Sequence, residues 1–268
     1  MQLRSHALQA LCLAHPRDKV DAVQTLWRNS DSWELDARQR IAAPLGDVLP
    51  GRPPAPRLVA PKQVVTRSPF TPQGLAGLIH AVCHIEFNAI NLALDAVWRF
   101  GGMPSAYYAD WMRVAHEEAH HFSLLQSHLQ ALGFSYGDFA AHDGLWTMCE
   151  RTRDSVVARM ALVPRTLEAR GLDATPQIQA KLRTVGSAMA LEAVGLLDLI
   201  LKEEVGHVAI GNRWYHWLCQ RDGLEPQRYF EEMALLHGAP KPKPPLNRQA
   251  RRLAGFTEAE LQAMTTNS

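Results

Sequence analysis

Two short runs along the chain share one chemistry. Glu117-Glu118-Ala119-His120-His121 and Glu203-Glu204-Val205-Gly206-His207 both contain Glu-x-x-His. On a helix this spacing puts a carboxylate and an imidazole one turn apart on the same face. Each face can then offer a metal ion one oxygen and one nitrogen. Helical bundles that hold metal pairs use two such motifs, plus one Glu from each of two further helices.

The first run offers two registers, and the flanking residues separate them. At helical spacing Glu118 has Trp111, Val114, Ala115, His121, Phe122, Leu125 and Leu129 around it, an apolar stripe of the kind that faces a core. Glu117 has Asp110, Arg113, His120, Leu124 and His128, a mostly solvated face. Glu118 with His121 is therefore the expected inward pair. In the second run Glu204 with His207 is the one Glu-x-x-His register, flanked by Leu197, Ile200, Leu201, Val208 and Leu218.

A third carboxylate, Glu86, sits among Ile79, Val82, Cys83, Ala89, Ile90, Ala93 and Val97. The fourth has two candidates. Glu150 lies on a mixed face with Trp146, Thr147, Arg153 and Asp154. Glu168 lies near Ala161, Pro164 and Arg165. Glu168 is preferred, because its offset to Glu204 is close to the offset between Glu86 and Glu118, as a repeated hairpin predicts. The expected ligands are thus Glu86, Glu118, His121, Glu168, Glu204 and His207. Carboxylates on core faces are costly unless cations neutralise them. Four Glu with two neutral His balance two divalent ions, and mixed oxygen and nitrogen donors suit iron or manganese. Glu192 also falls on an apolar face, but it lies about 18 Å along the helix from Glu204; a structural ion pair or a supporting partner of the site is expected there. Surface or packing roles are expected for His80 and His84, which sit off the Glu86 face, and core roles for Trp111, Trp146, Trp214 and Trp217.

Four long helices must carry these groups. Thr71-Pro72 is a helix-start signal, with a capping residue ahead of proline. The first long helix should run from there to about Phe100, before Gly101-Gly102. The second should run from Pro104-Ser105 to about Leu132, before Gly133. The third is expected over about 145–170, stopping at Gly171. Thr175-Pro176 predicts a short helix to about 185. After Gly186 the fourth long helix runs to about Arg221. Ahead of them, residues 1–28 read as two short helices broken at Pro16. Seven of the 17 prolines fall between Leu49 and Pro72, so that stretch is an extended arm or strap. After His237 the tail is rich in proline and basic residues, with a short capped helix over Thr257–Met264. The organisation expected is an N-terminal helical segment and arm over 1–70, a bundle over 71–237 and a tail over 238–268. The fold class is all-α, an antiparallel four-helix bundle with these appendages.

Bulk properties fit. The chain has 268 residues, 47% hydrophobic and 21% charged, with a formal net charge of +1, which argues against a strongly electrostatic partner such as duplex DNA. Four dispersed cysteines make no CxxC pair, so a reducing cytoplasm is the expected compartment. The stretch Met189–Ile200 is interrupted by Glu192 and Asp198 and is too short to span a bilayer, and no membrane partner is expected.

The segments HIEFNAINLALDAVWRF, DWMRVAHEEAHHF, RMALVPRTLEARGLDATP and EEVGHVAIGNRWY, together with GRPPAPRLVAP and PPLNRQARRLAGF, resemble the DUF455 family of ferritin-like proteins over nearly the whole chain. The EExxH runs are also similar to those of ferritins, rubrerythrins and di-iron hydroxylases. That resemblance implies a ferritin-like bundle in which Glu118 and Glu204 bridge two iron ions while Glu86 and Glu168 bind terminally. Manganese or a mixed pair is the alternative metal content. The implied activity is a di-iron oxidoreductase that activates O2 or peroxide on a small-molecule or RNA substrate, with an electron donor and a homodimer as expected partners. The alternative is a non-catalytic metal-binding or interaction protein on the same bundle.

Overall fold

The computed structural model describes residues 2–43, 46 and 49–266. The outermost positions of the expected N-terminal segment and tail, Met1, Asn267 and Ser268, lie outside the described residues, as do 44, 45, 47 and 48. Among the described residues the chain is all-α, with β pairing confined to the isolated bridges Gln2–Glu34 and Leu58–Ala141. It forms two compact units, Met1–Trp146 and Thr147–Ser268. The division falls inside the segment 71–237 that the sequence suggests as one bundle.

Unit one is built on a long hairpin. Helix α1 spans Leu3–Cys12, α2 Pro16–Arg28, α3 Pro72–Arg99 and α4 Ser105–Ala131. Thr71 caps α3 by accepting a hydrogen bond from Gly74 N–H, with Pro72 at the first helical position. Helices α3 and α4 are antiparallel: Cys83 and Phe87 meet Phe122, and Phe100 accepts from the Tyr108 hydroxyl. Most of α3 is buried, including Ile79, Cys83, Ile90, Ala93 and Val97. By length and composition α3 could cross a membrane, which the sequence reading did not anticipate. However, 72% of its most apolar window is covered by the rest of the protein, as befits a core helix.

The proline-rich stretch is a strap on unit one. Gly51 N–H donates to Leu11 O, Val59 N–H to Ala141 O, and Ala141 N–H to Arg57 O. A Cβ at Gly51 would lie 2.1 Å from Cys12 O, so only glycine lets the strap come this close. Beneath it Lys19 is fully buried and donates to Leu11 O, Gly51 O and Asn91 Oδ1. Burial, helped by Arg52, lowers its pKa to about 7.

Unit two corrects the third helix. The expected single helix over 145–170 is several pieces. Helix α5, Gly144–Arg151, leads from one unit to the other; then come α6, Val156–Leu162, a π-helical turn, Val163–Glu168, and α7, Ala169–Val185. Buried Arg159 bridges the gap between α5 and α6, donating to Thr152 Oγ1 at 2.9 Å and Cys149 O at 2.5 Å. Gly171 does not stop α7, and Pro176 lies inside it rather than opening it. Proline lacks the N–H that would bond Leu172 O, and Asn247 Nδ2 donates to that carbonyl instead. Helix α8, Ala188–Asp222, is capped by Ser187 and stopped by left-handed Gly223. Glu192 on α8 is exposed, which corrects the apolar setting expected for it.

The tail belongs to the fold of unit two. Helices α9 Pro226–His237, α10 Arg248–Leu253 and α11 Glu258–Thr266 follow α8. Ala250, Ala254, Phe256 and Leu261 close a core with Ala169, Leu172 and Val208. Its three arginines are paired inside the unit: Arg251 with Asp173 at 2.6 Å, and Arg248 and Arg252 with Glu258. Buried Arg165 pairs with Glu260 of α11.

Candidate metal centre

In unit one three donors converge. Helix α3 brings Glu86, and α4 brings Glu118 and His121; all three are buried, with Glu118 and His121 fully so. Each offers a ligand atom within 4.8 Å of the others. His121 Nδ1 lies 3.2 Å from Glu86 Oε2 and 3.4 Å from Glu118 Oε2. The neighbouring register points away: His120 is exposed and Glu117, half-buried, lies 3.9 Å from Arg113. A one-residue shift on a helix turns a side chain by about 100°, which is why the face decides.

The electrostatics of this group favour a cation. Burial and then the Glu118 charge push the Glu86 pKa up to about 8. Burial opposes charge on His121, but the hydrogen bonds and charges of Glu118 and Glu86 outweigh it and raise its pKa to about 11. Burial thus favours a proton on Glu86, and the neighbouring carboxylates favour one on His121. A divalent ion would displace those protons and neutralise the oxygens in their place. Glu86, Glu118 and His121 are a buried Glu/His group that could bind a metal ion.

Unit two repeats the pattern on α8. Glu204 and His207 are buried, and His207 Nδ1 lies 3.3 Å from Glu204 Oε1. Both motifs therefore turn Nδ1 of the His toward the Glu one turn earlier. Glu168 is buried at the end of the π-helical turn, while Glu150 is exposed. The turn has a local cause. Pro164 supplies no N–H, and its ring sits against Gly211 of α8, where a Cβ would come within 2.4 Å of it. Gly211 is four residues beyond His207, so the same face of α8 carries the imidazole and the seat for the turn.

His80 and His84 on α3 take packing roles, in a cluster with Tyr136 that the sequence reading did not indicate. His84 Nδ1 lies 2.8 Å from the Tyr136 hydroxyl, and Tyr136 packs edge-on against Phe122 and stacks with His80. Burial keeps both imidazoles neutral, lowering the pKa of His84 to about 3 and of His80 to about 4. The spacing of His80, His84 and Asn88, four apart on one helix face, was the available signal. Trp111, Trp146 and Trp214 are buried in cores, and Trp217 is half-buried.

The comparisons place the chain among known sequences. No solved structure matches it significantly. An uncharacterized protein of Haemophilus influenzae is 45% identical over 269 residues, covering 94% of this chain and 90% of that protein. The family described as "Protein of unknown function (DUF455)" matches residues 12–262. The chain belongs to the DUF455 family.

Proposed function

We propose that the chain is a di-metal oxidoreductase with a ferritin-like arrangement of its ligand-bearing helices, in which Glu86, Glu118, His121, Glu168, Glu204 and His207 together hold two metal ions. The observation that carries this reading is duplication. Each unit buries a Glu-x-x-His pair with the imidazole Nδ1 turned to its own carboxylate, and each buries one further Glu. A single buried motif of this kind could be an isolated ion pair. Two of them, with four carboxylates and two imidazoles, match the charge and donor count of a metal pair. Oxygen and nitrogen donors favour iron, with manganese or a mixed pair as the alternative.

When bound, the metals would supply activation of O2 or peroxide. The chain's own residues set the conditions. Burial and the Glu118 charge favour a proton on Glu86, and the two carboxylates favour one on His121; a bound cation would take the place of those protons. Phe87, Phe122 and Val208, all buried, are neighbours in sequence of the donors and keep water away. A small-molecule or RNA substrate, an external electron donor, a homodimer and a reducing cytoplasm complete the proposal. The cysteines accord with the last: Cys12, Cys83, Cys149 and Cys219 form no disulfide.

The test is to load the protein with ferrous iron without oxygen and then follow O2 uptake. Uptake in proportion to bound iron, absent in Glu204→Ala, is expected. Iron that stays bound with no O2 uptake would favour the non-catalytic metal-binding alternative.

A further inference from the structure

At the C-terminal end of α3 unit one builds a pocket of about 790 Å³. Arg4, Arg38, Arg40 and Arg99 line it, with the backbone of 37–42 and of Gly101 and Gly102. Glu86 is thirteen residues back along α3, roughly 20 Å at helical rise, so this is a separate place on the fold.

The charge here is only partly balanced. Arg4 is 2% exposed. Its Nη1 donates to the carbonyls of Asp36, Ala37 and Gln39, at 3.2, 3.2 and 2.7 Å, and its Nη2 to Trp98 O at 2.8 Å. Every acceptor is a carbonyl, so the guanidinium is hydrogen-bonded but not neutralised. Its Nε is buried with no hydrogen-bond partner among the described residues. Arg99 is neutralised by Asp95 through a two-pronged contact. Arg38 and Arg40 are exposed at the rim. The nearby acid on this loop, Asp36, accepts from the backbone N–H of Arg38 and Gln39. Four guanidinium groups therefore meet two carboxylates.

A helix C-terminus attracts cations by itself, and that accounts for Arg4 on Trp98 O and for Arg99. It does not account for Arg38 and Arg40, which come from another segment. Gly101 allows the assembly: a Cβ there would lie 3.0 Å from Ala37 O and 3.4 Å from Arg4 Nη2. Ile41 is the one large apolar side chain among the lining residues, so the pocket suits a highly charged ligand better than an apolar one. Planar guanidinium forks match phosphate oxygens in pairs. The volume falls within the roughly 300–1,000 Å³ usual for small-molecule sites.

We propose that this pocket binds a small molecule bearing a di- or triphosphate group, held by Arg38 and Arg40 at the rim and by the uncompensated charge of Arg4 at the floor. The test is calorimetric titration of the full chain, at fixed ionic strength, with inorganic tripolyphosphate, a nucleoside triphosphate, a sugar monophosphate and sulfate. Triphosphate-bearing ligands should bind at least tenfold tighter than sulfate. The two triphosphates separate an inorganic from a nucleotide source. R38A/R40A should weaken tripolyphosphate binding at least tenfold without changing the ligand-free melting temperature. R17A/R28A removes the same charge from exposed positions elsewhere and should bind as wild type does. The proposal is overturned by no binding of either triphosphate at millimolar concentration, by equal binding of sulfate, or by unaltered binding in R38A/R40A. Tighter binding of a single-stranded oligonucleotide than of tripolyphosphate would also overturn it.

Discussion

The α3–α4 hairpin and the π-helical turn with α8 present the same donor types on different backbones. In the hairpin, Glu86, Glu118 and His121 project from two regular helices, and the carboxylates already lie within 3.4 Å of the imidazole. In unit two, Glu204 and His207 project from a regular helix, but Glu168 ends a π-helical turn seated on Gly211. A regular helix fixes its ligands by its own hydrogen bonds. A π turn persists only while its surroundings hold it, and such turns are frequent at functional sites. Buried cations also differ in their partners. Lys19 of unit one donates to carbonyl and amide oxygens and Arg159 of unit two to a hydroxyl and a carbonyl, whereas Arg251 and Arg165 of unit two meet carboxylates.

The contrast can be broken most forcefully at Asp173. It is the carboxylate for buried Arg251 and also accepts from Asn247 N–H, so Asp173→Ala strands a charge and loosens the tail. A cost of about 3–5 kcal/mol is expected in chemical denaturation; a loss under 1 kcal/mol would show that the tail does not hold unit two together.

Lys19 should behave in the opposite manner, through pH. Its folded pKa of about 7 lies below the ordinary 10.5. The unfolded chain therefore binds more protons between these values, and this contribution to stability rises with pH from about 7 to 10.5. Lys19→Met should remove that rise, on the order of a few kcal/mol across the window. Unfolding curves of equal pH slope in both proteins would contradict a depressed Lys19.

Smaller effects sharpen the comparison of backbones. Gly211→Ala forces a methyl into the Pro164 ring and should cost about 1–3 kcal/mol. Gly206→Ala, where a Cβ meets nothing within 4 Å, should be neutral or slightly stabilising. Equal melting temperatures for the two variants would remove the π turn's dependence on Gly211. The smallest change belongs to the outward register of α4. His120→Ala should shift stability by no more than about 0.5 kcal/mol and leave metal content unchanged.

Much of this architecture was legible because local chemistry marks it. Thr71-Pro72 marks the start of α3 and Gly186 the break ahead of α8, and the apolar stripe around Glu118 separates it from Glu117. The rest depended on partners distant in sequence. Pro176 reads as a helix start because its missing hydrogen bond is visible locally, while Asn247, which takes the orphaned carbonyl, is 71 residues away. The π turn adds a residue to the repeat, so a regular 3.6-residue count past Val163 assigns the wrong neighbours to Glu168. At that spacing charged Arg165 falls beside Glu168, although Glu168 is buried. Lys19, Arg159 and Arg251 lie in amphipathic helices where a polar residue suggests solvent, and only the carbonyls and carboxylates brought by folding make their burial tolerable.

The most direct measurement of the central claim is elemental analysis of the purified protein beside Glu118→Ala and Glu204→Ala, with circular dichroism to show that each variant is folded. The six-ligand account predicts roughly two metal ions per chain in the wild type, with near-complete loss in both variants, since each removes a carboxylate expected to serve both ions. Full metal content in a folded Glu118→Ala or Glu204→Ala would contradict it.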